Sequence, residues 1–540
     1  MRLAAVLCAV AGAALWSGPF ILRDDLYAND AAQHIFWLYR FVDPGLFPND
    51  LTVRFFSLPS SAAWGYRGLY ATIAPLVDVL FAAEVLAAAL LLLSVWLAWL
   101  IGRTVVTEEH RELGGLISAV TVLWLVTQHA DVMTPLALQR GFALPIMLLF
   151  LWALVARRYA WVGVAWLLAA LIYPVIIVVL GIAGTVVFLR DFVRDHRPPP
   201  MWFWNGIAGV AALAIVLVSS GTPPDIGPTL SGSQALSLPE FGSQGRVRLF
   251  IGTFRGDWIS SQVVGLGWPS ASLLTIGVAT TLTFIGDRRA RLPTAVWIFL
   301  FCGLAVWLVA RFTLFELYLP NRHSRWTIAA FAVAAFACAG VVVLERITRY
   351  VGARASASGK AMSAAISLAA ILIVVAVFLP AAKRTWQTPV DRDMERAYAY
   401  LATLPRDTLI AAHPDVADFV PLRSKRAVLA STETSLSFMQ GYYQRIKPRL
   451  EASLRAAYAS NWAELDKTLA PYGVIVMLSA PAVWSKERYY EPFNALVSEL
   501  RTRGKRKGFI LKEPSAERVV FQSGGVFVVR VGPDPAARSE

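Results

Sequence analysis

Arg23 to Leu51 reads RDDLYANDAAQHIFWLYRFVDPGLFPNDL. It follows an apolar run, residues 3–22, long enough to cross a hydrocarbon layer of about 30 Å. Asp24, Asp25, Asp30, Asp43 and Asp50 all fall inside it, a density of acid out of proportion to the apolar chain around it. A loop of this kind directly after a span puts its carboxylates at the edge of a membrane. Asn29 to Phe41 is expected to form an amphipathic helix along the membrane surface, with Ile35, Phe36, Leu38 and Phe41 apolar and Asp30, Gln33, His34 and Trp37 on another face. Asp30 and His34 are i, i+4 neighbours, so their side chains meet on such a helix. That suits a carboxylate orienting an imidazole, or the two sharing a metal. The plainer reading has Asp24 and Asp25 starting a helix and Asp43 and Asp50 making turns, and for the last two it is preferred.

The rest of the chain agrees with a membrane setting. Of 540 residues 57% are hydrophobic and 16% charged, and the mean hydropathy is +0.55, too apolar for one or two soluble cores. Charge is uneven: residues 1–380 hold 45 Asp, Glu, Lys and Arg, whereas the 160 residues of 381–540 hold 41. The second value is that of an ordinary soluble domain. A membrane domain, 1–380, and a soluble domain, 381–540, follow. The net charge of +14 does not point to nucleic acid, because the basic residues cluster in short inter-span loops and form no stripe with interleaved aromatics. Cys8, Cys302 and Cys338 lie in apolar runs and suggest neither disulfide nor thiolate site.

Apolar segments occur near 3–22, 76–101, 114–128, 141–156, 160–189, 202–219, 263–285, 293–310, 326–344 and 361–380. The 160–189 stretch is too long for one span, and Tyr173-Pro174 breaks it, which makes about eleven. With the N-terminus cytoplasmic, Arg103 and Arg111, Arg157 and Arg158, Arg190 to Arg197, Arg288 to Arg291 and Arg346 to Lys360 fall on the cytoplasmic side. Loops 23–72, 129–140, 220–262 and 311–325 and the C-terminal domain then face outward, as in a bacterial inner membrane protein with a periplasmic domain. The first run lacks a clean small-residue cleavage site and reads as an uncleaved span rather than a signal peptide.

The outward loops carry the polar chemistry. One turn holds His129, Asp131 and Arg140; another holds Arg311, Glu316, Arg322, His323 and Arg325; loop 220–262 holds Glu240, Arg246, Arg248, Arg255 and Asp257. Outward arginines run against the positive-inside tendency and so require another purpose. A guanidinium binds phosphate as a bidentate fork, and a lipid phosphate lies at this depth. Arg140, Arg322 and Arg325, with His129 and His323, are the expected substrate-binding residues. A carboxylate, Asp30, Asp25 or Asp24, with His34 beside it, would take a proton from an acceptor hydroxyl, while arginines or a divalent cation such as Mg²⁺ or Mn²⁺ on Asp25, Asp30 and His34 stabilise the departing phosphate.

On the stretch DDLYANDAAQHIFWLYRF, the many short spans and the outward C-terminal domain, the chain resembles the GT-C class of integral membrane glycosyltransferases, which includes protein mannosyltransferases, aminoarabinose transferases and the catalytic subunit of oligosaccharyltransferase. It is also similar to uncharacterised bacterial polytopic membrane proteins sharing NDxAQHxFWxYRFxDPxLFPND. The GT-C resemblance implies a mainly α membrane bundle, a polyprenyl-phosphate sugar as donor, a glycan, lipid or protein acceptor, inverting transfer, and a catalytic Asp at Asp24, Asp25 or Asp30. No strict Asp-x-Asp or Asp-Glu pair is present; Asp24-Asp25 and Asn29-Asp30 come nearest. Two other classes remain open: a transporter or flippase of a lipid-linked or anionic substrate, which lacks support from internal repeats, and a non-catalytic scaffold.

The C-terminal part is expected to be a small α/β domain: a helix around Met394 to Leu404, then strands at TLIAAH, RAVLAST, YGVIVML and VFVVRV. His413, Asp415, Asp418 and Glu433 cluster after the first strand and read first as strand-end residues satisfying turns. RTRGKRKG, from Arg501, reads as a solvated basic turn. No GxSxG, GxGxxG, P-loop or HExxH is present.

Overall fold

The computed structural model describes residues 1–28, 30–128, 132–253, 257–258, 275–276, 278–279, 292–352 and 359–532. Among them seven helices are long and apolar enough to cross a membrane: Arg2–Leu22, Val79–Val105, Pro174–Asp195, Trp202–Ser219, Thr294–Thr313, Asn321–Thr348 and Gly359–Trp386. Two shorter apolar stretches, Gln139–Val155 and Tyr159–Ile172, and the helix Arg111–Gln128 pack among them. The expected span 263–285 falls almost wholly outside the described residues, as do His129, Asp131, Arg255 and the basic run at 288–291. The molecule is an integral membrane protein, mainly α, with a small α/β domain at its C-terminal end.

Local chemistry sets the helix limits. Asp78 opens Val79–Val105 by accepting hydrogen bonds from the backbone N–H of Leu80 and Phe81 at 2.9 and 3.2 Å, the N-cap role of a short acidic side chain. The long segment at 160–189 breaks where the sequence places it. The helix Tyr159–Ile172 ends, Tyr173 turns extended at φ −143, and a 3₁₀ turn Pro174–Ile176 leads into Ile177–Asp195, as a residue before proline favours. Val79–Val105 and Arg111–Gln128 approach through two glycines: a Cβ on Gly102 would stand 2.2 Å from the carbonyl oxygen of Gly114. Small residues let helix backbones meet where lipid supplies no hydrophobic drive.

The C-terminal domain is a five-stranded sheet of order β2-β1-β3-β5-β4, with β1 Leu409–Ala412, β2 Ala427–Val428, β3 Val476–Ser479, β4 Val519–Ser523 and β5 Val526–Arg530. β1 runs parallel to β2 and β3, while β5 is antiparallel to β3 and β4. The expected helix appears as Arg392–Thr403. β4 was not expected. It forms a hairpin with β5 through Gly524-Gly525, Gly524 at φ +52, and that glycine pair between two apolar runs was a readable hairpin signal. RTRGKRKG is not a turn: Arg501 to Lys507 end the helix Asn494–Lys507, where basic residues complement the helix dipole.

The first loop also departs from expectation. In place of one surface helix there is a single α turn, Ala31–His34, then a 3₁₀ run, Phe36–Phe41. Ile35, Phe36, Trp37 and Leu38 are all buried. Four consecutive bulky apolar residues cannot share one stripe of an α-helix, and here they are covered by the rest of their loop and the C-terminal domain. That domain sits directly over the loops. The Arg23 guanidinium donates to the carbonyls of Thr385, Trp386 and Thr388 at 3.2, 2.8 and 3.0 Å. In the long loop, Ile226 and Pro228 accept from Tyr442 and Gln440, both at 2.9 Å, and Leu230 donates to Phe438 at 3.0 Å.

Candidate active site

Beneath this roof lies a cavity of ≈ 410 Å³ lined by His34, Arg140, Tyr173, Glu316, Arg322 and His323 among others. Three separate parts of the chain therefore deliver the charged residues singled out in the sequence. His34 ends the α turn of the first loop. Arg140 lies in the 3₁₀ turn Gln139–Phe142, held by the buried segment before it: Ala137 donates its N–H to Ala83 at 2.7 Å and accepts from the Tyr70 hydroxyl at 2.9 Å. Arg322 and His323 stand in the first turn of Asn321–Gly352. The loop expected over 311–325 is shorter, because Arg311 still belongs to Thr294–Thr313.

Asp30 and Arg140 form an ion pair, with 27% and 14% of their side chains exposed. His34 stands beside it. Burial, then the positive charges of Arg140 and Arg322, push its imidazole down to about 4 against the pull of Asp30. His34 is thus held as a neutral ring, able to donate or accept a hydrogen bond without carrying charge into the cavity.

Asp24 and Asp25 lie elsewhere. Asp25 is paired with Arg23, its neighbour two residues back, and that hydrogen bond holds its carboxyl below the ordinary range. Asp24 is exposed, and its carbonyl accepts from Arg423 at 3.0 Å. The expected cation site on Asp25, Asp30 and His34 therefore does not assemble: the two carboxylates are held by different arginines, the imidazole faces the charges of Arg140 and Arg322, and no group of three His, Cys, Asp or Glu is placed to hold a metal among the described residues. Asp43 and Asp50 are structural, as expected. Asp43 accepts from the Gly45 N–H at 3.1 Å, and Asp50 caps the helix Leu51–Phe56 through the Val53 N–H at 2.8 Å. Arg325 is 2% exposed, with its guanidinium 5.9 Å from the Trp326 ring, and is not part of the cavity lining.

The C-terminal domain reaches the same place. Leu436, Phe438 and Met439 line the cavity, and Glu433, just before them, pairs with Arg246 of the long loop at 2.8 Å. Burial raises the Glu433 carboxyl, the charge of Asp30 adding to the rise and Arg246 opposing it, so the two acids feel one another. Asp418 accepts from the Glu433 N–H at 2.7 Å and is pushed up to about 7, chiefly by burial. His413 is 2% exposed and belongs to the domain's interior, its Nδ1 accepting from the Asp415 N–H at 3.3 Å. Tyr173 and Tyr318 are cavity residues that the sequence did not mark, although the Tyr173-Pro174 break was visible.

A second, larger void of ≈ 990 Å³ runs between Ile177–Asp195 and Trp202–Ser219. Its walls are almost wholly apolar, and it shares Ile177, Val178 and Val216 with the polar cavity. The two adjoin at those three residues.

A scan against protein-family models and a search of curated proteins return no match. Among solved structures the chain is similar to the oligosaccharyltransferase of Archaeoglobus fulgidus in its apo form, at 12% identity and TM-score 0.50, covering 88% of this chain and 69% of that one. The fold is GT-C-like. The same archaeal oligosaccharyltransferase, AglB, in complex with an inhibitory peptide and a dolichol-phosphate, is similar at 11% identity and TM-score 0.49 over 88% of this chain and 69% of that one. The GT-C-like bundle with its roofing C-terminal domain is the architecture that the first-loop resemblance implied.

Proposed function

We propose that this GT-C-like protein is a glycosyltransferase that moves a sugar from a polyprenyl-phosphate carrier to an acceptor on the outward, extracytoplasmic side of the membrane. The observation that carries this is the adjacency of two voids: a polar cavity holding Arg140 and Arg322 borders an apolar groove between two membrane helices. Guanidinium groups suit the phosphate and the groove suits an isoprenoid chain. The dolichol-phosphate bound by the archaeal relative is of the same ligand class.

In this reading Arg322 and Arg140 take up the charge that develops on the phosphate as the glycosidic bond breaks. Asp30 accepts the proton from the attacking group of the acceptor. Direct attack from the face opposite the phosphate inverts the anomeric centre, and no covalent sugar–protein intermediate is required. Arg140 serves both partners: it is paired with Asp30, and a phosphate beside it would compete for that guanidinium and release the carboxylate. Glycan, lipid and protein acceptors all remain within this reading.

The test is transfer from labelled polyprenyl-phosphate sugars by the purified protein in lipid. Transfer that is lost with Asp30→Asn while the fold is kept supports the reading. A protein that moves its lipid across the bilayer and transfers no sugar contradicts it.

A further inference from the structure

His323 is 1% exposed and lines the polar cavity beside Arg322. Its Nε2 stands 2.7 Å from the carbonyl oxygen of Leu317; a carbonyl only accepts, so in the neutral ring the proton sits on Nε2 and Nδ1 keeps a bare lone pair. That Nδ1 is buried and has no hydrogen-bond partner among the described residues. A buried acceptor left unpaired is costly, so such a group points to something that fills it.

The surrounding groups narrow what that something is. Arg140 and Arg322 are donors only, so the oxygens of a phosphate satisfy them. A phosphate ester offers acceptors and has nothing to give Nδ1. The missing partner is an O–H or N–H donor adjacent to the anion. The rest of the lining suits a hydroxylated ring: Ser60, Ser219, Thr222 and the exposed Glu316 contribute hydroxyls and a carboxylate, and Tyr173 and Tyr318 contribute faces for packing.

We propose that His323 recognises the sugar itself: its Nδ1 accepts a hydrogen bond from a hydroxyl of the glycosyl group next to the phosphate, and so selects the donor by the position of that hydroxyl. The inference rests on the reading of the cavity as a site for a polyprenyl-phosphate sugar. It gives His323 a role distinct from the arginines, which hold the anion whatever it carries.

A structural role competes with this one. The turn Leu314 to Tyr318 holds three non-glycine residues with positive φ, Leu314 at 25°, Phe315 at 45° and Tyr318 at 64°, a strained conformation that the imidazole fastens through Leu317. The two roles use different ring nitrogens and so can be separated. His323→Gln places an amide N–H near the position of Nε2 and keeps the link to Leu317 while removing the acceptor. His323→Asn places an amide oxygen near Nδ1 and does the reverse.

The experiment is equilibrium binding to the full chain in lipid nanodiscs, with bare polyprenyl phosphate and the same lipid carrying glucose, mannose, galactose, arabinose or N-acetylglucosamine as probes. The unaltered protein should bind at least one glycosylated lipid about tenfold more tightly than the bare one, the scale of one hydrogen bond to a buried group. His323→Gln should lose that preference with unchanged binding of bare polyprenyl phosphate, His323→Asn should retain part of it, and the preferred donor lacking the recognised hydroxyl should bind the unaltered protein as weakly as the bare lipid. Equal weakening of all probes by His323→Gln would make the residue an anchor of the turn and overturn the proposal. So would unaltered protein that binds bare and glycosylated lipids alike. Sugar transfer in the same preparations reports separately on the enzymatic reading, so selective binding without turnover would sink that reading and leave His323 its role.

Discussion

Asp30 in the loop after the first apolar helix is paired with Arg140, 110 residues further along the chain. This contact joins the loop that follows the first apolar helix to the turn that opens Gln139–Val155; Arg140 lines the cavity with His34 and Arg322, and Asp30 stands behind it. An ion pair between the expected base and an expected phosphate ligand makes the two functions interdependent.

If a phosphate and Asp30 compete for one guanidinium, the two partners should respond oppositely to mutation. Arg140→Gln should weaken binding of bare polyprenyl phosphate about tenfold to a hundredfold, the range of a charged hydrogen bond. Asp30→Asn should strengthen it several-fold by releasing Arg140. Titration of polyprenyl phosphate into each variant in nanodiscs checks both, and equal weakening by both would show that Asp30 itself contacts the lipid head.

Asp25 is committed to Arg23, which in turn holds the carbonyls at the exit of the last apolar helix. Asp25→Asn is expected to keep transfer within about threefold of the unaltered protein and to lower the thermal midpoint, since the side-chain pair is largely covered at 14% and 22% exposure. Loss of transfer at an unchanged midpoint would move the base from Asp30 to Asp25.

Much of this was legible in the sequence, for identifiable reasons. The apolar segments and the Tyr173-Pro174 break depend on local composition and on the missing N–H of proline, so they can be read directly. Asp30, His34, Arg140, Arg322 and His323 stood out because charged residues at a membrane edge require a purpose. Their division was not legible. Asp25 and Asp30 are alike in sequence, and only tertiary contacts send one to Arg23 and the other to Arg140. Arg325 shares a face with Arg322 but lies three residues further along Asn321–Gly352, deep enough to stand in the protein interior. The first loop failed as a helix for the same reason: Ile35 to Leu38 are buried between the rest of their own loop, Phe47 and Phe56 among it, and a domain nearly 400 residues later.

The groove can be narrowed without disturbing its walls. A Cβ at Gly181 or Gly206 meets nothing within 4 Å, and both residues line the apolar void. Gly181→Leu with Gly206→Leu should therefore preserve or raise thermal stability, given the better helix propensity of leucine, and weaken long polyprenyl phosphates at least tenfold. A two-isoprene phosphate, which needs little of the groove, should bind as before. Unchanged binding of the long lipid would remove the groove from the account.

Acid should loosen the fold through His34 and His413, both lowered to about 4 from 6.5. Between those values the unfolded chain binds a proton on each ring and the native state does not, so stability rises with pH through this window and falls as pH drops towards 4. Asp418, raised from 3.8 to about 7, acts in the opposite sense, because there the native state holds the extra proton. Thermal midpoints from pH 4 to 7 in an Asp418→Asn background should fall on acidification, and the slope should flatten when His34→Gln and His413→Gln are added. A slope unaffected by the two replacements would mean that neither imidazole is held neutral.

The most direct measurement is sugar transfer from polyprenyl-phosphate donors to an acceptor mixture by the purified protein in lipid, run beside Asp30→Asn and Arg322→Gln variants of equal thermal stability. The account predicts turnover by the unaltered protein, a loss of about 10²–10⁴-fold with Asp30→Asn, as for removal of a general base, and a comparable loss with Arg322→Gln. Full transfer by Asp30→Asn, or no transfer from any donor that the unaltered protein binds, would contradict it.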